Sequence, residues 1–324
     1  MRAFLKRYWF LIGLLVAVAL GFALPGFARR IDPEQRIIRV TTVLLFWIAG
    51  LTLPAESIRR GLANVRLHAL VQGMCFVVIP AYFWATARWF SGHLDGQLVV
   101  GLYALAVLPT TIAMCVVFTQ SAGGNTFGAL FNSALANLAG VLVSPLLLSI
   151  FLRGSGAMPA VGELFRIVLG LLWIMMLPVG VGQITRRIRP TLAAPRARWA
   201  TISSLFILST VFLTFSRSAE NPALLGRLAS LAVPAAYLAA SHVLFLFASY
   251  GAAQLLRLPL EDRICAVFAA PQKSMAMGVP LLTVYFAHVP ELLGIALIPL
   301  LIYHPWQLLM AGVVRSWVLR KTGG

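Results

Sequence analysis

The chain has 324 residues, 60% of them hydrophobic and only 11% charged, with a mean hydropathy of +0.90. A soluble domain carries charge on about a quarter of its residues, so composition excludes a soluble globular protein and predicts an integral membrane protein. The net charge of +17 would suggest nucleic acid in a soluble chain, but here the basic residues lie in short segments between apolar runs, where they face lipid head groups. Membrane lipids are therefore expected partners, and nucleic acid is not.

Runs of about 20 apolar residues cross a hydrocarbon core of about 30 Å as helices. Ten are found, at approximately 9–27, 37–54, 66–90, 97–119, 126–152, 163–185, 199–216, 229–256, 263–286 and 292–318. Helix is expected because a lipid-exposed backbone must satisfy its own hydrogen bonds, and the alternating pattern of barrel strands is absent. The first run follows a basic start, MRAFLKRYWF, that resembles a secretory signal. An internal repeat makes it a retained span: IGLLVAVALGFALPGFARRI (12–31) lies over LGLLWIMMLPVGVGQITRRI (169–188) without a gap at a shift of 157. The predicted fold is an all-α membrane protein of ten transmembrane helices in two halves, 1–152 and 153–324. Five spans per half invert the second repeat, as in many secondary transporters. Sixteen Lys and Arg residues then fall on the side of the termini and nine on the other, so the positive-inside rule puts both termini in the cytoplasm. The expected location is a bacterial inner membrane.

Two spans are interrupted. The fourth, LYALAVLPTTIAMCVVF (102–118), carries Pro109 followed by Thr110 and Thr111. The ninth, CAVFAAPQKSMAMGVPLL (265–282), carries Pro271 followed by Gln272, Lys273 and Ser274, and the two prolines are 162 residues apart, near the repeat shift. Each proline lacks an N–H and disfavours helix in the residue before it, so the backbone can open there and line a shared cavity. A pair of ordinary proline kinks is the plainer alternative. Lys273 is the one basic residue at mid-span, while all nine acidic residues fall in loops or at predicted helix ends. A charged lysine at that depth costs roughly 3 kcal/mol on insertion scales and usually marks a pathway. The alternative is a structural lysine bonded to carbonyls freed by Pro271.

Other polar residues within the spans carry weaker signals. Asn132, Ser133 and Asn137 are spaced to share one side of the fifth span, facing the cavity or tying helices together. Tyr303 and Gln307 invite the same two readings as these, while His242 and His304 in the eighth and tenth spans are candidates for a proton relay or for bonds to a neighbouring helix. Cys75, Cys115 and Cys265 lie in apolar stretches without metal-site spacing and read as small buried hydrophobes. Gly123 and Gly124 read as a tight turn after the fourth span. No HExxH helix, mid-membrane acid pair or nucleophile elbow is present, so neither an enzyme nor a metal or cofactor is expected.

Four segments carry a family resemblance: FWIAGLTLPAESIRRGLANVRLH (46–68), LPTTIAMCVVFTQSAGGNTFGALFNSALANLAGVLVSPLL (108–147), APQKSMAMGVPL (270–281) and IYHPWQLL (302–309). Together they resemble the bile acid:sodium symporter superfamily, in its SBF-like branch of sodium/bile acid cotransporter-seven-like proteins. The resemblance implies a panel domain from spans 1, 2, 6 and 7, a core domain from spans 3–5 and 8–10, crossing fourth and ninth spans, and alternating access. It also aligns the sodium ligands of coupled members with Met114, Cys115, Phe268, Ala129 and Ser133, leaving Gln272 and Ser133 as plausible ligands. That is too few oxygens for a hard cation and argues against sodium coupling.

The expected protein is a secondary carrier for a small-molecule organic anion. Its expected binding or coupling residues are Pro109, Thr110, Thr111, Asn132, Ser133, Asn137, Pro271, Gln272, Lys273 and Ser274. Lys273 serves as a built-in cation in place of sodium, and a bound anion would favour its ammonium form, linking anion binding to proton uptake. A ligand-sensing membrane protein without transport, and a sodium-coupled symporter of bile-acid-like anions, stay open as alternatives.

Overall fold

The computed structural model describes residues 2–52, 64–89, 96–153, 161–220, 231–287 and 289–322. Positions 53–63 of the resemblance segment 46–68 lie outside the described residues, as do the loop charges Glu56, Arg59, Arg60, Asp95 and Arg227. Among the described residues the chain is helical almost throughout and contains no strand.

In chain order the helices are α1 (Arg2–Ala23), the short α2 (Phe27–Ile31), α3 (Arg36–Thr52), α4 (Val65–Gly73), α5 (Ile79–Trp89), α6 (Gly96–Val107), α7 (Ala113–Ser121), α8 (Thr126–Phe151), α9 (Val161–Leu171), α10 (Leu177–Ile188), the single turn α11 (Pro190–Ala193), α12 (Arg196–Ser218), α13 (Ala232–Leu255), α14 (Leu260–Ala269), α15 (Met275–Tyr285) and α16 (Pro290–Thr322). Wider π turns, Met74–Val78 and Leu172–Met176, join α4 to α5 and α9 to α10 without a break. Among the described residues six helical stretches are long and apolar enough to cross a bilayer: Val65–Ala87, Thr126–Phe151, Phe165–Ile188, Arg198–Arg217, Ala232–Leu255 and Leu292–Arg320. The protein is an integral membrane protein, and its exposed leucines, valines and isoleucines are what lipid-facing surfaces require.

The chain forms two compact units: Met1–Leu53, Phe165–Ser230 and Val279–Ile295 in one, and Pro54–Leu164, Leu231–Gly278 and Ala296–Gly324 in the other. In the first, α1 packs along α12 and α3 along α10. The second pair approaches until backbones touch. A Cβ added at Gly50 would lie 2.2 Å from the Val179 carbonyl oxygen, and one at Gly182 2.3 Å from that of Trp47. Small residues at such contacts are the usual means of close packing where lipid removes the hydrophobic driving force. Gln183 Nε2 reinforces the pair by donating to the Gly50 carbonyl at 2.6 Å.

In the second unit α8 is the central helix, packed against α4, α6, α7 and α14. Three helix starts meet at one buried carboxylate. Asn64 and Asn125 cap α4 and α8 by accepting the amides of Leu67 and Gly128, and their amide groups donate to Asp262, in the first turn of α14, at 2.5 and 2.7 Å. A carboxylate at helix N-termini gains from the N–H groups and the dipoles directed at it, which explains why Asp262 is buried without a cation on it among the described residues. At the other end of α7, Gly123 adopts φ +73° and turns the chain, as its sequence predicts.

Candidate functional site

The site lies within the second unit, where two helices stop inside the apolar core. The chain leaves helical geometry at 108–112, between α6 and α7, and again at 270–274, between α14 and α15. These are the stretches that begin around Pro109 and Pro271. An interrupted helix exposes carbonyls that no i+4 amide reaches, and in a membrane each must find a partner.

At the first break the accounting is complete over five consecutive carbonyls. Ala106 O accepts from Lys273 Nζ at 2.7 Å, and Val107 O from the Ser144 hydroxyl at 2.6 Å. Leu108 O accepts from Lys273 Nζ at 2.8 Å, Pro109 O from the backbone amide of Ser274 at 2.8 Å, and Thr110 O from Asn137 Nδ2 at 2.8 Å. Ser144 and Asn137 are seven residues apart on α8, two turns of one face. The Thr111 hydroxyl then accepts the Met114 amide at 3.2 Å and starts α7. Gly140 lets the Pro109 ring lie against α8, since a Cβ there would stand 3.0 Å from Pro109 Cγ.

The second break is held from α16 and α13. Gln307 grips the backbone of Lys273 at both ends: its Oε1 accepts the Lys273 amide at 2.8 Å and its Nε2 donates to the Lys273 carbonyl at 2.9 Å. That pairing fixes the orientation of the amide. The same Nε2 lies 2.9 Å from His304 Nδ1. Tyr303 donates its hydroxyl proton to the Pro271 carbonyl at 2.8 Å, so His242 Nδ1, at 2.8 Å from the same oxygen, must be the donor to it. Ser274 closes the break by accepting the Met277 amide on its hydroxyl at 3.1 Å, capping α15.

Lys273 is fully buried. Besides Ala106 O and Leu108 O, its Nζ donates to Cys75 O in the Met74–Val78 turn at 3.3 Å. No carboxylate forms an ion pair with it among the described residues; the two ion pairs there are Arg29 with Glu220 and Arg36 with Glu34. Two groups at the breaks hold unused hydrogen-bonding capacity while buried: Thr110 Oγ1 and Gln272 Oε1 make no hydrogen bond.

The breaks thus bring together Pro109, Thr110, Thr111, Asn137, Pro271, Gln272, Lys273 and Ser274, with His242 and His304 in hydrogen-bonded chains that reach the second break through Tyr303 and Gln307. Asn132 and Ser133 are placed differently. Asn132 donates within α8 to Gly128 O at 2.9 Å and accepts from Gln72 of α4, while Ser133 donates to Ala129 O at 2.7 Å. Gln307, Tyr303 and Ser144 hold the breaks in place but were not among the expected site residues. Their signal was a polar side chain inside an apolar span. Cys75, Ala106 and Leu108 act through backbone carbonyls, which no residue type announces.

Two broken helices meeting inside an all-helical membrane unit, with a buried charge at their contact, define a site of the kind membrane carriers use. The SBF-like CPA transporter family model matches residues 8–318. The chain is 29% identical to sodium/bile acid cotransporter 7 of Xenopus tropicalis, over 98% of this chain and 94% of the relative. It is 27% identical to sodium/bile acid cotransporter 7 of Mus musculus, over 98% and 96%. It is also 27% identical to YfeH of Escherichia coli, whose name marks a candidate symporter, over 97% and 93%. The chain belongs to the SBF-like CPA transporter family and is a membrane transporter.

Proposed function

We propose that this protein is a secondary carrier that moves a small organic anion by alternating access, with Lys273 as a built-in cation in place of the sodium of coupled relatives. The observation that carries the reading is the ammonium of Lys273, buried at the contact of two helix breaks and bonded to carbonyls rather than to a carboxylate. A net positive charge so placed favours an anionic ligand. Thr110 Oγ1 and Gln272 Oε1, buried at the two breaks without partners, are the polar groups free to meet substrate or the water it displaces. The names of the vertebrate relatives point to bile-acid-like anions as the first class to test.

Apolar packing at the positions of the expected metal ligands supports independence from sodium. Cys115 and Ala129 lie in one buried apolar cluster, and Phe268 lies in another, stacked on Phe118 with ring centroids 5.8 Å apart. The proposed architecture is ten spans in two inverted repeats, with both termini in the cytoplasm of a bacterial inner membrane. Within the first unit the pair of α1 with α12 becomes the pair of α10 with α3 when the halves are exchanged, which supports the internal repeat.

Counterflow of labelled bile-acid-like and smaller carboxylates in proteoliposomes tests this. Replacing sodium by choline should leave uptake of the transported anion unchanged. A saturable, sodium-dependent rise in uptake or in thermal stability would overturn the sodium-free reading, and absence of counterflow across the panel would favour a ligand sensor.

A further inference from the structure

Three carbonyl oxygens from two separate segments converge on the end of the Lys273 side chain. Two, Ala106 O and Leu108 O, belong to the last turn and end of α6, the negative pole of that helix, at 2.7 and 2.8 Å from Nζ. The third, Cys75 O, comes from a π turn at 3.3 Å. An ammonium group has three N–H donors and no lone pair, whereas a neutral amine has two donors and a lone pair that would face a carbonyl oxygen. Three acceptors therefore match the ammonium form hydrogen for hydrogen. With all three donors engaged and the group fully buried, an anion cannot coordinate it directly in this conformation. The Cys75 thiol also lies against this cluster, 3.7 Å from Leu108 O and a weak donor to it.

We propose that the carbonyls of Cys75, Ala106 and Leu108 form a monovalent-cation site whose occupant is part of the chain itself, and that this site accepts a free primary alkylammonium once the tether is cut back. The proposal rests on the reading of the protein as an anion carrier only in its consequence. An occupant that never dissociates supplies no coupling metal ion, and Lys273 acts on the anion at a distance, through its charge.

The test uses the full chain, purified in detergent. Lys273→Ala removes Cγ, Cδ, Cε and Nζ, the atoms of n-propylammonium, so that ion is the probe. The thermal unfolding midpoint of Lys273→Ala should fall below that of the unchanged protein and recover saturably with n-propylammonium chloride, while the unchanged protein does not respond. Tetramethylammonium has the charge without N–H donors and 1-propanol has the shape without the charge, and neither should restore the midpoint. Recovery with sodium as well would also support a site built for monovalent cations. No recovery with n-propylammonium, or equal recovery with either control, would overturn the proposal. Should Lys273→Ala yield no folded protein alone, production in the presence of n-propylammonium decides: monodisperse protein that depends on the ion supports the site, and its absence refutes it. Because the readout is stability, loss of anion counterflow with rescue intact would remove the transport reading and leave the cation site standing.

Discussion

The two breaks follow a similar sequence pattern, a proline followed within three residues by a hydroxyl that caps the next helix, yet they are satisfied in opposite senses. Around Pro109 five carbonyls, from Ala106 to Thr110, accept hydrogen bonds, and every donor to them comes from elsewhere in the sequence. Around Pro271 the chain supplies donors to the first break, the Ser274 amide and the Lys273 ammonium, and is itself held by Gln307 and Tyr303. One break is a nest of partial negative charge, and the other carries the cation that fills it. The difference explains why a lysine occurs in the ninth span without a counterpart in the fourth. It also shows how a buried charge can be tolerated without an opposite charge, since oriented backbone dipoles replace the solvation that water would give.

Removing the donor side should have the largest effect. Lys273→Met keeps most of the volume but leaves Ala106 O and Leu108 O without the partner that serves both. At about 1–3 kcal/mol for each of these two buried groups left unsatisfied, the expected loss is roughly 2–6 kcal/mol, read as a lowered unfolding midpoint in detergent. A loss below about 1 kcal/mol would mean that the first break finds other donors and that the asymmetry is unimportant.

Ser144→Ala and Asn137→Ala probe the acceptor side one carbonyl at a time. Each should cost about 1–3 kcal/mol, because Val107 O and Thr110 O are left buried without a donor. Either change combined with Lys273→Met should cost less than the sum of the two, since a break already loosened has less order to lose. Strict additivity would indicate that the carbonyls act as separate contacts.

The prolines themselves should matter least. Pro109→Ala and Pro271→Ala restore an N–H, but the carbonyls of the first break are engaged by other donors and the amides of Lys273 and Ser274 at the second by Gln307 Oε1 and Pro109 O, so the breaks should persist with changes of about 1 kcal/mol or less. Cysteines placed at Thr110 and Gln272, in a background lacking Cys75, Cys115 and Cys265, report on this directly. Both should react with small water-soluble thiol reagents during the transport cycle and be protected by substrate. Labelling of neither would mark the breaks as plain kinks.

Much of this was legible in the chain. Hydropathy and the scarcity of charge determined the membrane class, because the bilayer tests each segment locally for apolarity and length. Pro109 and Pro271 marked both interruptions, because a missing N–H and the constraint on the preceding residue are local properties of the covalent chain. The depth of Lys273 in its span was equally plain, and so was the polar character of Asn137, Gln272 and Ser274. What each group bonds was not. Lys273 was read both as a pathway residue and as a structural group on carbonyls freed by Pro271, and the fold places it on the carbonyls of the opposite break and of the π turn, 165 and more residues away. Asp262 looked like an ordinary helix-start acid, and only packing made it the clasp of three helices. Asn132 shares the polar side of α8 with Asn137 in sequence, but which neighbour each meets depends on how α4 and the first break lie along that helix. The sequence by itself determined where helices could form and where they had to stop. Tertiary structure decided who satisfies the groups left open there, because hydrogen-bond partners across a membrane bundle are set by helix packing and backbone carbonyls carry no mark in the one-dimensional chain.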